Sequence, residues 1–275
     1  MTQWMKPGNN AVITGGASGI GLAAARRFLA ADMQVLIADI DEEALHQARQ
    51  DLGGQILTHV CDVSRYDDVE ALQKYAAEQM GVTHCLMNNA GAGVRTSSPW
   101  EELGSWKKQI DINLWGIIHG CHAFLPSMLE AQLRCAVINT GSKQGLTNPP
   151  GNYAYNMSKS AVKAYTESVA HALRQEEDCK VTAHLLIPGF TYTGMIARFV
   201  PEKPAGAWLP EQAIDYMLSA LERNAFYILC PDNDTPRELD EKRIQWGVDD
   251  LLQDRSALSR WDPAYKGSYD AFLSK

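Results

Sequence analysis

Tyr155 and Lys159 are the two residues of this sequence whose types and spacing most directly suggest acid–base chemistry. They are four residues apart in a helical pattern, so both side chains would lie on one face of a helix. A phenol has a pKa near ~10, and acid–base work near neutrality needs that pKa lowered by about three units, or about 4 kcal/mol. A lysine ammonium one turn away stabilises the phenolate and would supply part of that shift. The pair also arises often by chance, so its meaning depends on its surroundings.

A glycine-rich segment, Thr14-Gly15-Gly16-Ala17-Ser18-Gly19-Ile20-Gly21, follows the first predicted strand and begins a helix. Glycines permit a tight strand-to-helix turn and a close approach of the backbone to a pyrophosphate, which the helix N-terminus stabilises. The spacing of Gly19, Gly21 and Ala24 matches G-x-G-x-x-A, a weak signal on its own. We therefore expect a dinucleotide to contact the segment, with these residues in contact: Gly15, Ser18, Gly19, Ile20 and Gly21.

Asp39 ends the second predicted strand, 18 residues beyond Gly21. A carboxylate at this position can accept hydrogen bonds from the adenosine ribose hydroxyls and repels a 2′-phosphate. No Arg or Lys occurs at positions 15–25 or 36–42 to bind such a phosphate. The sequence therefore predicts NAD rather than NADP as the cofactor.

Short apolar or β-branched runs alternate with longer helical patterns from Ala11 to about Cys230. Such alternation is typical of right-handed βαβ crossovers and a parallel sheet covered on both faces. The predicted strands are Ala11–Thr14, Gln34–Ala38, Ile56–Val60, His84–Met87, Ala136–Asn139, Thr182–Ile187 and Phe226–Leu229. The predicted helices are Gly21–Ala31, Glu42–Leu52, Arg65–Met80, Trp106–Glu130, Tyr153–Gln175 and Glu211–Arg223. The expected fold class is α/β, a single-domain Rossmann-type doubly wound sheet of about seven strands with a helical C-terminal extension.

Two segments interrupt this alternation. The first, residues 191–209, is a long loop with apolar content and is expected to form a lid. The second is the tail. Thr235, Pro236 and Glu238 suggest a capping box, and Ile244, Val248, Leu251 and Leu252 form a helical apolar stripe. We expect a Rossmann-type NAD-binding and catalytic domain at 1–234 and a helical extension at 235–275, packed on that domain or on a neighbouring subunit.

Composition narrows the class of protein further. The net charge of −8, without a cluster of basic residues, argues against a nucleic-acid partner. No 18-residue apolar run is present, so we expect no membrane association. Six scattered cysteines without a Cys-x-x-Cys pair are typical of free thiols and predict a cytoplasmic protein. His119 and His122 are three residues apart, but no third ligand stands nearby, so no metal is expected.

Taken together, the motifs resemble those of the classical short-chain dehydrogenase/reductase family. The resemblance covers roughly residues 8–230 and follows the family's order and spacing. The matching motifs are the Thr14–Gly21 segment, Asp62-Val63, Asn88-Asn89-Ala90-Gly91, Asn113, Ser142, Tyr155-Asn156-Met157-Ser158-Lys159 and Pro188-Gly189. This resemblance implies hydride transfer between a nicotinamide and a carbonyl or alcohol.

The resemblance also implies a role for each matching residue. Tyr155 would be the general acid/base, and Ser142 would hydrogen-bond the substrate oxygen. Lys159 would lower the pKa of Tyr155 and hold the nicotinamide ribose, and Asn113 would anchor a proton-relay water through its backbone. The remaining cofactor contacts would come from Asp62 and Val63 at the adenine, Asn89, Ala90 and Gly91, Pro188 and Gly189, and Thr191 and Thr193 at the carboxamide.

The substrate is less well defined. The segments that line the cleft in the resembled family here carry Gly93, Val94, Gln144, Leu146, Pro149, Phe190, Met195, Phe199 and Trp208, which predict a hydrophobic or aromatic secondary alcohol or ketone. Arg95 and Lys143 are either contacts for an anionic group or solvated surface charges. The resemblance further implies a homodimer or homotetramer through the helices that carry Asn113 and Tyr155.

Two departures from the family pattern are present. Thr191 stands where Val or Ile is common, and Cys230-Pro231-Asp232-Asn233-Asp234 replaces the usual glycine-rich ending, which leaves the usual tetramer contacts open. Two alternative functions are a non-catalytic NAD-binding sensor or scaffold, and a sugar-nucleotide epimerase or dehydratase. The Ser142, Tyr155 and Lys159 set counts against the first, and the short chain counts against the second.

Overall fold

The computed structural model describes residues 3–53, 56–93, 98–100, 103–198 and 200–274. Its strands are rich in β-branched and apolar residues, most of which are buried, as a covered parallel sheet requires. They are β1 (Asn10–Thr14), β2 (Gln34–Asp39), β3 (Leu57–Val60), β4 (Cys85–Asn88), β5 (Cys135–Thr140), β6 (Val181–Ile187) and β7 (Tyr227–Leu229).

The strands form one seven-stranded parallel sheet in the order β3-β2-β1-β4-β5-β6-β7. The order reverses between β1 and β4, and the carboxyl ends of these strands therefore flank the crevice where this fold binds ligands. Each predicted strand is present, with ends within about one or two residues of the prediction.

Helices cover both faces of the sheet, over one apolar cluster on each side. They are α1 (Gly19–Leu29), α2 (Glu42–Asp51), α3 (Tyr66–Met80), α4 (Leu103–Ile110), α5 (Gly116–Glu130), α6 (Gln144–Thr147), α7 (Tyr153–Gln175), α8 (Gly194–Ala197), α9 (Pro210–Glu222), α10 (Arg237–Leu252) and α11 (Lys266–Leu273). The Rossmann-type fold class predicted from the sequence is confirmed.

The helix predicted from Trp106 to Glu130 is divided into three parts. A π-helical segment, Asp111–Trp115, joins α4 to α5. Such segments leave a backbone carbonyl out of the regular α-helical pattern and are frequent at functional sites. Hydrophobic periodicity does not reveal such an insertion, because it changes the local register by only one residue.

Two capping boxes that the sequence pattern suggests, Ser64 with Asp67 and Thr235 with Glu238, are not formed. Ser64 does not cap α3; its hydroxyl donates to Asp62 Oδ1 over 2.7 Å, and the helix begins at Tyr66. In the tail, α10 begins at Arg237, and the Thr235 hydroxyl instead accepts from Arg243 over 3.1 Å. Both hydroxyls find a side-chain partner that the local sequence pattern does not indicate.

The C-terminal extension buries a different face of α10 from the one predicted. Ile244 packs partly against the core, but Val248, Leu251 and Leu252 are exposed, the last two by 84% and 72%. The buried side instead carries Asp240, Trp246 and Asp250.

The tail has a small core of its own around Trp246. The rings of Tyr269 and Phe272 lie 5.1 and 5.2 Å from the Trp246 ring, and the Arg255 guanidinium stacks over it at 3.9 Å. The extension also contacts the domain, where α10 packs against α6. The boundary at residue 234 stays a prediction.

The six cysteines are free thiols, five of them buried and Cys179 half-buried. Burial raises the pKa of Cys61 to about 12 and that of Cys121 to about 11. Among the residues that the structure describes, no helix is long and apolar enough to cross a membrane.

Candidate active site

The glycine-rich turn lies between β1 and α1, and its shape depends on missing side chains. Gly15 and Gly19 have φ values of +60° and +52°, in the left-handed region that favours glycine. A Cβ on Gly21 would lie 2.2 Å from the Gly15 carbonyl oxygen. Ser18 precedes α1, is exposed and makes no side-chain capping hydrogen bond. These features fit a pyrophosphate.

The end of β4 is tied to this turn by a small polar network. Thr14 Oγ1 accepts from the backbone amides of Asn89 and Ala90 at 3.0 and 3.2 Å. Asn89 Nδ2 donates to the Gly15 carbonyl at 3.0 Å. The network fixes the floor of the crevice, and Thr14 is a contributor that was not singled out from the sequence, although it directly precedes the glycines.

Asp39 stands at the end of β2 beside the turn. Its Oδ2 accepts from the Ala17 amide and its Oδ1 from the Asp41 amide, each over 3.3 Å. These are long hydrogen bonds to a half-buried carboxylate, which therefore keeps capacity to accept from ribose hydroxyls.

Asp62 and Val63 follow β3, and Asp62 lines an open cavity of about 340 Å³. Asp62 Oδ1 accepts from both the amide and the hydroxyl of Ser64. Val63 is buried against Gly116, where a Cβ would lie 2.7 Å from Val63 Cγ2. The cavity is lined by Ile40, Asp62, Ser64, Gly104, Lys107, Lys108, Asp111 and Ile112. Its place next to Asp39 fits an adenine.

Lys159 reaches the catalytic end of the crevice from α7. It is only 4% exposed, and its ammonium donates to the Thr140 carbonyl over 2.8 Å. The ammonium lies 5.9 Å from the centre of the Tyr155 ring. Burial lowers the pKa of Lys159 to about 8.

The Ser142 side chain lies close enough to the Tyr155 hydroxyl to act on its pKa. Burial raises the pKa of Tyr155, and the Ser142 side chain acts in the opposite direction. In the chain alone, desolvation outweighs the effect of Ser142. The lowering of the phenol pKa expected from the lysine together with a nicotinamide cation stays a prediction. The three predicted residues Ser142, Tyr155 and Lys159 do lie together.

Asn113 lies within the π-helical segment and is completely buried. Its side chain accepts from the Ala92 amide at 2.7 Å and donates to the Ala92 carbonyl and to the Ser158 hydroxyl. A Cβ on Gly91 would lie 3.3 Å from Asn113 Oδ1 and 3.8 Å from Lys159 Nζ. The amide of Asn113 is thus fully used in structural contacts, and any contact with a relay water falls to its backbone.

The segment after β6 forms the opposite wall. The Pro188 carbonyl accepts from the Lys143 amide, and the Thr191 hydroxyl donates to the Gly189 carbonyl. Thr193 precedes α8, and a Cβ on Gly19 would lie 3.1 Å from its methyl group. Thr193 therefore stands close to the glycine-rich turn, and the cofactor contacts of both threonines stay a prediction.

The predicted substrate residues are only partly gathered in one place. Met195 of α8 lies over Gly93, where a Cβ would be 3.1 Å from its sulfur, and Phe190 is 40% exposed. Gln144 carries a buried side-chain oxygen without a hydrogen bond, and Leu146 packs partly against the core. Trp208 lies against Tyr216 at 6.1 Å, so its substrate contact stays a prediction. Val94, Arg95 and Phe199 lie outside the described residues.

Lys143 is neither a solvated charge nor an open anion site. Its ammonium pairs with Asp232 at 3.0 Å and with Asp240 at 2.6 Å, and all three side chains are mostly buried. Burial opposes ionisation of Asp232, but the Phe190 amide and Lys143 hold the pKa of Asp232 below its usual range. Burial raises the pKa of Asp240. No sequence pattern signals this cluster, because its members are far apart along the chain.

His119 and His122 contact the ring of Tyr66, and His119 Nδ1 hydrogen-bonds the Val63 carbonyl. Within the described ranges, no group of three or more His, Cys, Asp or Glu side chains could hold a metal ion.

Comparison with known proteins agrees with this geometry. The family model described as short chain dehydrogenase matches residues 9–204. A 3beta-hydroxysteroid dehydrogenase from Eggerthella lenta is 35% identical over 193 residues, 68% of this chain and 73% of the relative. The chain belongs to the short-chain dehydrogenase/reductase family, and it is an oxidoreductase of the kind that acts on CH–OH groups.

Two solved structures extend the comparison. A short-chain dehydrogenase/reductase from Burkholderia phymatum in complex with NAD superposes with a TM-score of 0.84 at 29% identity, covering 93% of this chain and 98% of that one. An alcohol dehydrogenase from Thermococcus sibiricus complexed with 5-hydroxy-NADP has a TM-score of 0.67 at 25% identity, covering 78% and 90%. Members of the family bind a nicotinamide cofactor.

Proposed function

We propose that this chain is an NAD-dependent dehydrogenase or reductase that transfers hydride between nicotinamide and a hydrophobic or aromatic secondary alcohol or ketone. The observation that carries the proposal is that the Ser142 side chain lies next to the Tyr155 hydroxyl, with the buried Lys159 ammonium 5.9 Å from the centre of the Tyr155 ring. A protein that only bound the dinucleotide would have no use for a positioned acid beside a desolvated cation.

Each of these side chains has a distinct task. Tyr155 donates a proton to the substrate carbonyl oxygen, or accepts one from the alcohol in the reverse direction. Ser142 hydrogen-bonds the same oxygen as negative charge develops on it. Lys159 stabilises the phenolate and holds the nicotinamide ribose, and the backbone of Asn113 binds a water through which the proton is replaced.

The cofactor contacts follow the crevice from end to end. The amides around Gly15, Ser18, Gly19, Ile20 and Gly21 bind the pyrophosphate, and Asp39 binds the adenosine ribose. The other contacts come from Asp62 and Val63 at the adenine, from Asn89, Ala90 and Gly91 along the floor, and from Pro188, Gly189, Thr191 and Thr193 at the carboxamide. The nicotinamide, when bound, supplies or accepts the hydride. NAD is favoured because Asp39 repels a 2′-phosphate.

The proposed substrate class rests on the apolar side chains of the segments that are expected to line the cleft. Met195, Leu146 and Phe190 favour a hydrophobic alcohol, and the relative that acts on a 3beta-hydroxysteroid supports an alicyclic one. The buried, unpartnered oxygen of Gln144 offers one hydrogen-bond acceptor to such a molecule. We further infer a cytoplasmic location from the six free thiols, and a homo-oligomer formed through α5 and α7.

The test is to supply NAD or NADP with aliphatic, alicyclic or aromatic secondary alcohols and to monitor reduction of the cofactor by the absorbance of the reduced nicotinamide. We expect NAD to be reduced with a hydrophobic alcohol. Tyr155→Phe should lower kcat by about 100-fold or more, because general acid–base catalysis contributes on that scale, while NADH binding is kept.

Tyr165→Phe is the matched control, since Tyr165 lies on the same helix but packs against the core. Full activity in Tyr155→Phe would remove Tyr155 from its role. Tight NADH binding without turnover of any alcohol or ketone would favour the non-catalytic sensor.

A further inference from the structure

The ion cluster of Lys143, Asp232 and Asp240 joins three parts of the chain at one point. Lys143 directly follows Ser142, Asp232 lies after β7, and Asp240 belongs to α10. The exposed fractions of the three side chains are 15%, 6% and 5%, so the charges interact with little screening by water.

The cluster lies directly on the backbone of the segment after β6. Asp232 Oδ2 accepts from the Phe190 amide over 3.1 Å and from the Lys143 ammonium over 3.0 Å. A Cβ on Gly189 would lie 2.8 Å from that oxygen and 3.0 Å from Lys143 Nζ, so the absence of a side chain at Gly189 lets the charges approach the backbone. The Ser142 side and the Gly189–Phe190 side of the site are therefore linked through one ammonium.

The turn that carries Asp232 also contacts the C-terminal part of the predicted lid, residues 191–209. Asn233 donates its amide to the Gly206 carbonyl and its side chain to Ala205 and Ala207. The Trp208 amide in turn donates to the Phe190 carbonyl. Both ends of the lid are thus anchored on residues 232 and 233.

Several charged groups lie around the Asp240 carboxylate, and two of them, Arg243 and Arg260, belong to the tail. Lys143, Asp232 and Arg243 act on Asp240, and Arg260 and the Cys230 thiol lie within electrostatic reach of it. Removing one partner of such a buried set leaves an uncompensated charge, which is costly. The cluster therefore favours one arrangement of the three segments.

We propose that Lys143 is a positioning residue: held by Asp232 and by Asp240 of the C-terminal helix, it fixes the Ser142 segment against the Gly189–Phe190 segment and so makes the nicotinamide end of the site depend on the tail. This rests on the proposed function, which takes these two segments as the walls around the substrate oxygen and the carboxamide. In this proposal Lys143 acts through these two segments and not through a contact with substrate or cofactor.

The test compares two ligands that differ only at the nicotinamide end. Dissociation constants of NADH and of ADP-ribose are measured by calorimetry for the full-length protein and for Lys143→Met. We expect NADH to bind about tenfold more weakly and kcat to fall by about tenfold or more, because small displacements of a positioned group have effects of this size. ADP-ribose, which lacks the nicotinamide, should keep its affinity.

Three further variants make the test decisive. Asp240→Asn keeps the shape of the side chain and should shift the NADH to ADP-ribose affinity ratio in the same direction. The double variant Lys143→Met/Asp240→Asn should unfold at a higher temperature than Lys143→Met alone, because it also removes a buried negative charge that Lys143→Met leaves without its partner. Lys74→Met removes an exposed ion pair with Glu70 and should leave the affinities for NADH and ADP-ribose unchanged.

An unchanged affinity ratio in both Lys143→Met and Asp240→Asn overturns the inference, even if their unfolding temperatures fall, and leaves the proposed function intact. A shift in Lys143→Met without one in Asp240→Asn overturns the part assigned to the tail. If Lys143→Met does not fold, Asp240→Asn decides alone. If the unsubstituted protein binds neither ligand, the proposed function fails and the inference fails with it.

Discussion

Tyr155 and Lys159 are both held in an environment that opposes their charged forms. Burial raises the pKa of the phenol and lowers that of the ammonium to about 8. A buried lysine near neutral pH is still largely protonated, so the fold carries a desolvated positive charge in the absence of ligand. That charge lowers the free energy of unfolding, and in the proposed chemistry it stabilises the Tyr155 phenolate.

Lys159→Met should therefore stabilise the protein while abolishing turnover. The ordinary lysine pKa is 10.5, so between pH 8 and 10.5 the unfolded chain binds more protons at this position than the folded one. The cost is complete below pH 8 and disappears as the pH rises towards 10.5. We expect a gain of up to about 3 kcal/mol in the free energy of unfolding at neutral pH, measured by urea titration.

Lys163→Met, an exposed position on the same helix, is the control for this comparison. The free energy of unfolding of this control should differ little from that of the unsubstituted protein, both at neutral pH and near pH 10.5. A Lys159→Met protein that is less stable near pH 7 would show that the hydrogen bond to Thr140 outweighs the desolvation of the charge.

Asp39 is expected to decide between the two dinucleotides. Asp39→Ala removes the carboxylate that repels a 2′-phosphate, and Lys107 and Lys108 line the neighbouring cavity. Because a close like charge costs about 1–3 kcal/mol, NADP should gain about tenfold in affinity relative to NAD. Titration of both cofactors into both proteins checks this, with Asp41→Ala as the control. A preference for NADP in the unsubstituted protein would contradict the argument.

At this scale, the sequence indicated which residues belong together but not their environment. The motif around Tyr155 and Lys159 predicted two neighbours on one helix face, which follows from helical spacing alone. The direction of the Tyr155 pKa depends on how much water the whole fold excludes, which spacing does not contain. The sequence leaves two interpretations of Lys143, a contact for an anionic group or a solvated charge, because both of its ion-pair partners come after β7 in the chain.

Among the elements, periodicity predicted the sheet well because its central strands are buried on both faces. The C-terminal extension shows the limit of that reasoning. The stripe of Val248, Leu251 and Leu252 has ideal spacing for a buried face, yet it is exposed. The helix is instead rotated to satisfy buried charges and Trp246, and such pairings between distant segments override local amphipathicity.

The tail should lose its structure as a unit when Trp246 is removed. Trp246 is 3% exposed and contacts Tyr269, Phe272 and Arg255, while its Nε1 donates to Ser259. Trp246→Ala should cost about 3–5 kcal/mol of local stability, seen as faster amide hydrogen exchange in α11. Trp261→Ala, at a 43% exposed ring, should change the same amides little. Equal exchange in both variants would mean that the domain, rather than Trp246, orders the extension.

For the whole molecule, two of the surface regions that carry exposed large apolar side chains bear on assembly. Trp115, at the junction of the π-helical segment and α5, and Met157 on α7 are nearly half exposed. Leu251 and Leu252 lie on α10. The first region is where the proposed subunit contact would form, and the second is the alternative left open for the tail.

Trp115→Glu should dissociate the assembly, because a charge in an apolar interface without a partner costs several kcal/mol. Sedimentation velocity of the unsubstituted protein should show an oligomer, and this variant a monomer. Leu251→Glu is the comparison and should leave the assembly unchanged. Dissociation by Leu251→Glu alone would assign the subunit contact to the extension.

The buried thiols have a practical consequence for following the lid. Thiolate is the reactive form of cysteine, and groups with a pKa near 11 or 12 in the folded protein present almost none of it at neutral pH. Five of the six cysteines are also out of contact with solvent, which leaves Cys179 as the competitor for a thiol-directed label. After Cys179→Ser, a cysteine introduced at Lys203 would carry a fluorophore at one defined point on the lid. Any movement of the predicted lid, residues 191–209, could then be measured in a protein whose core is otherwise unaltered.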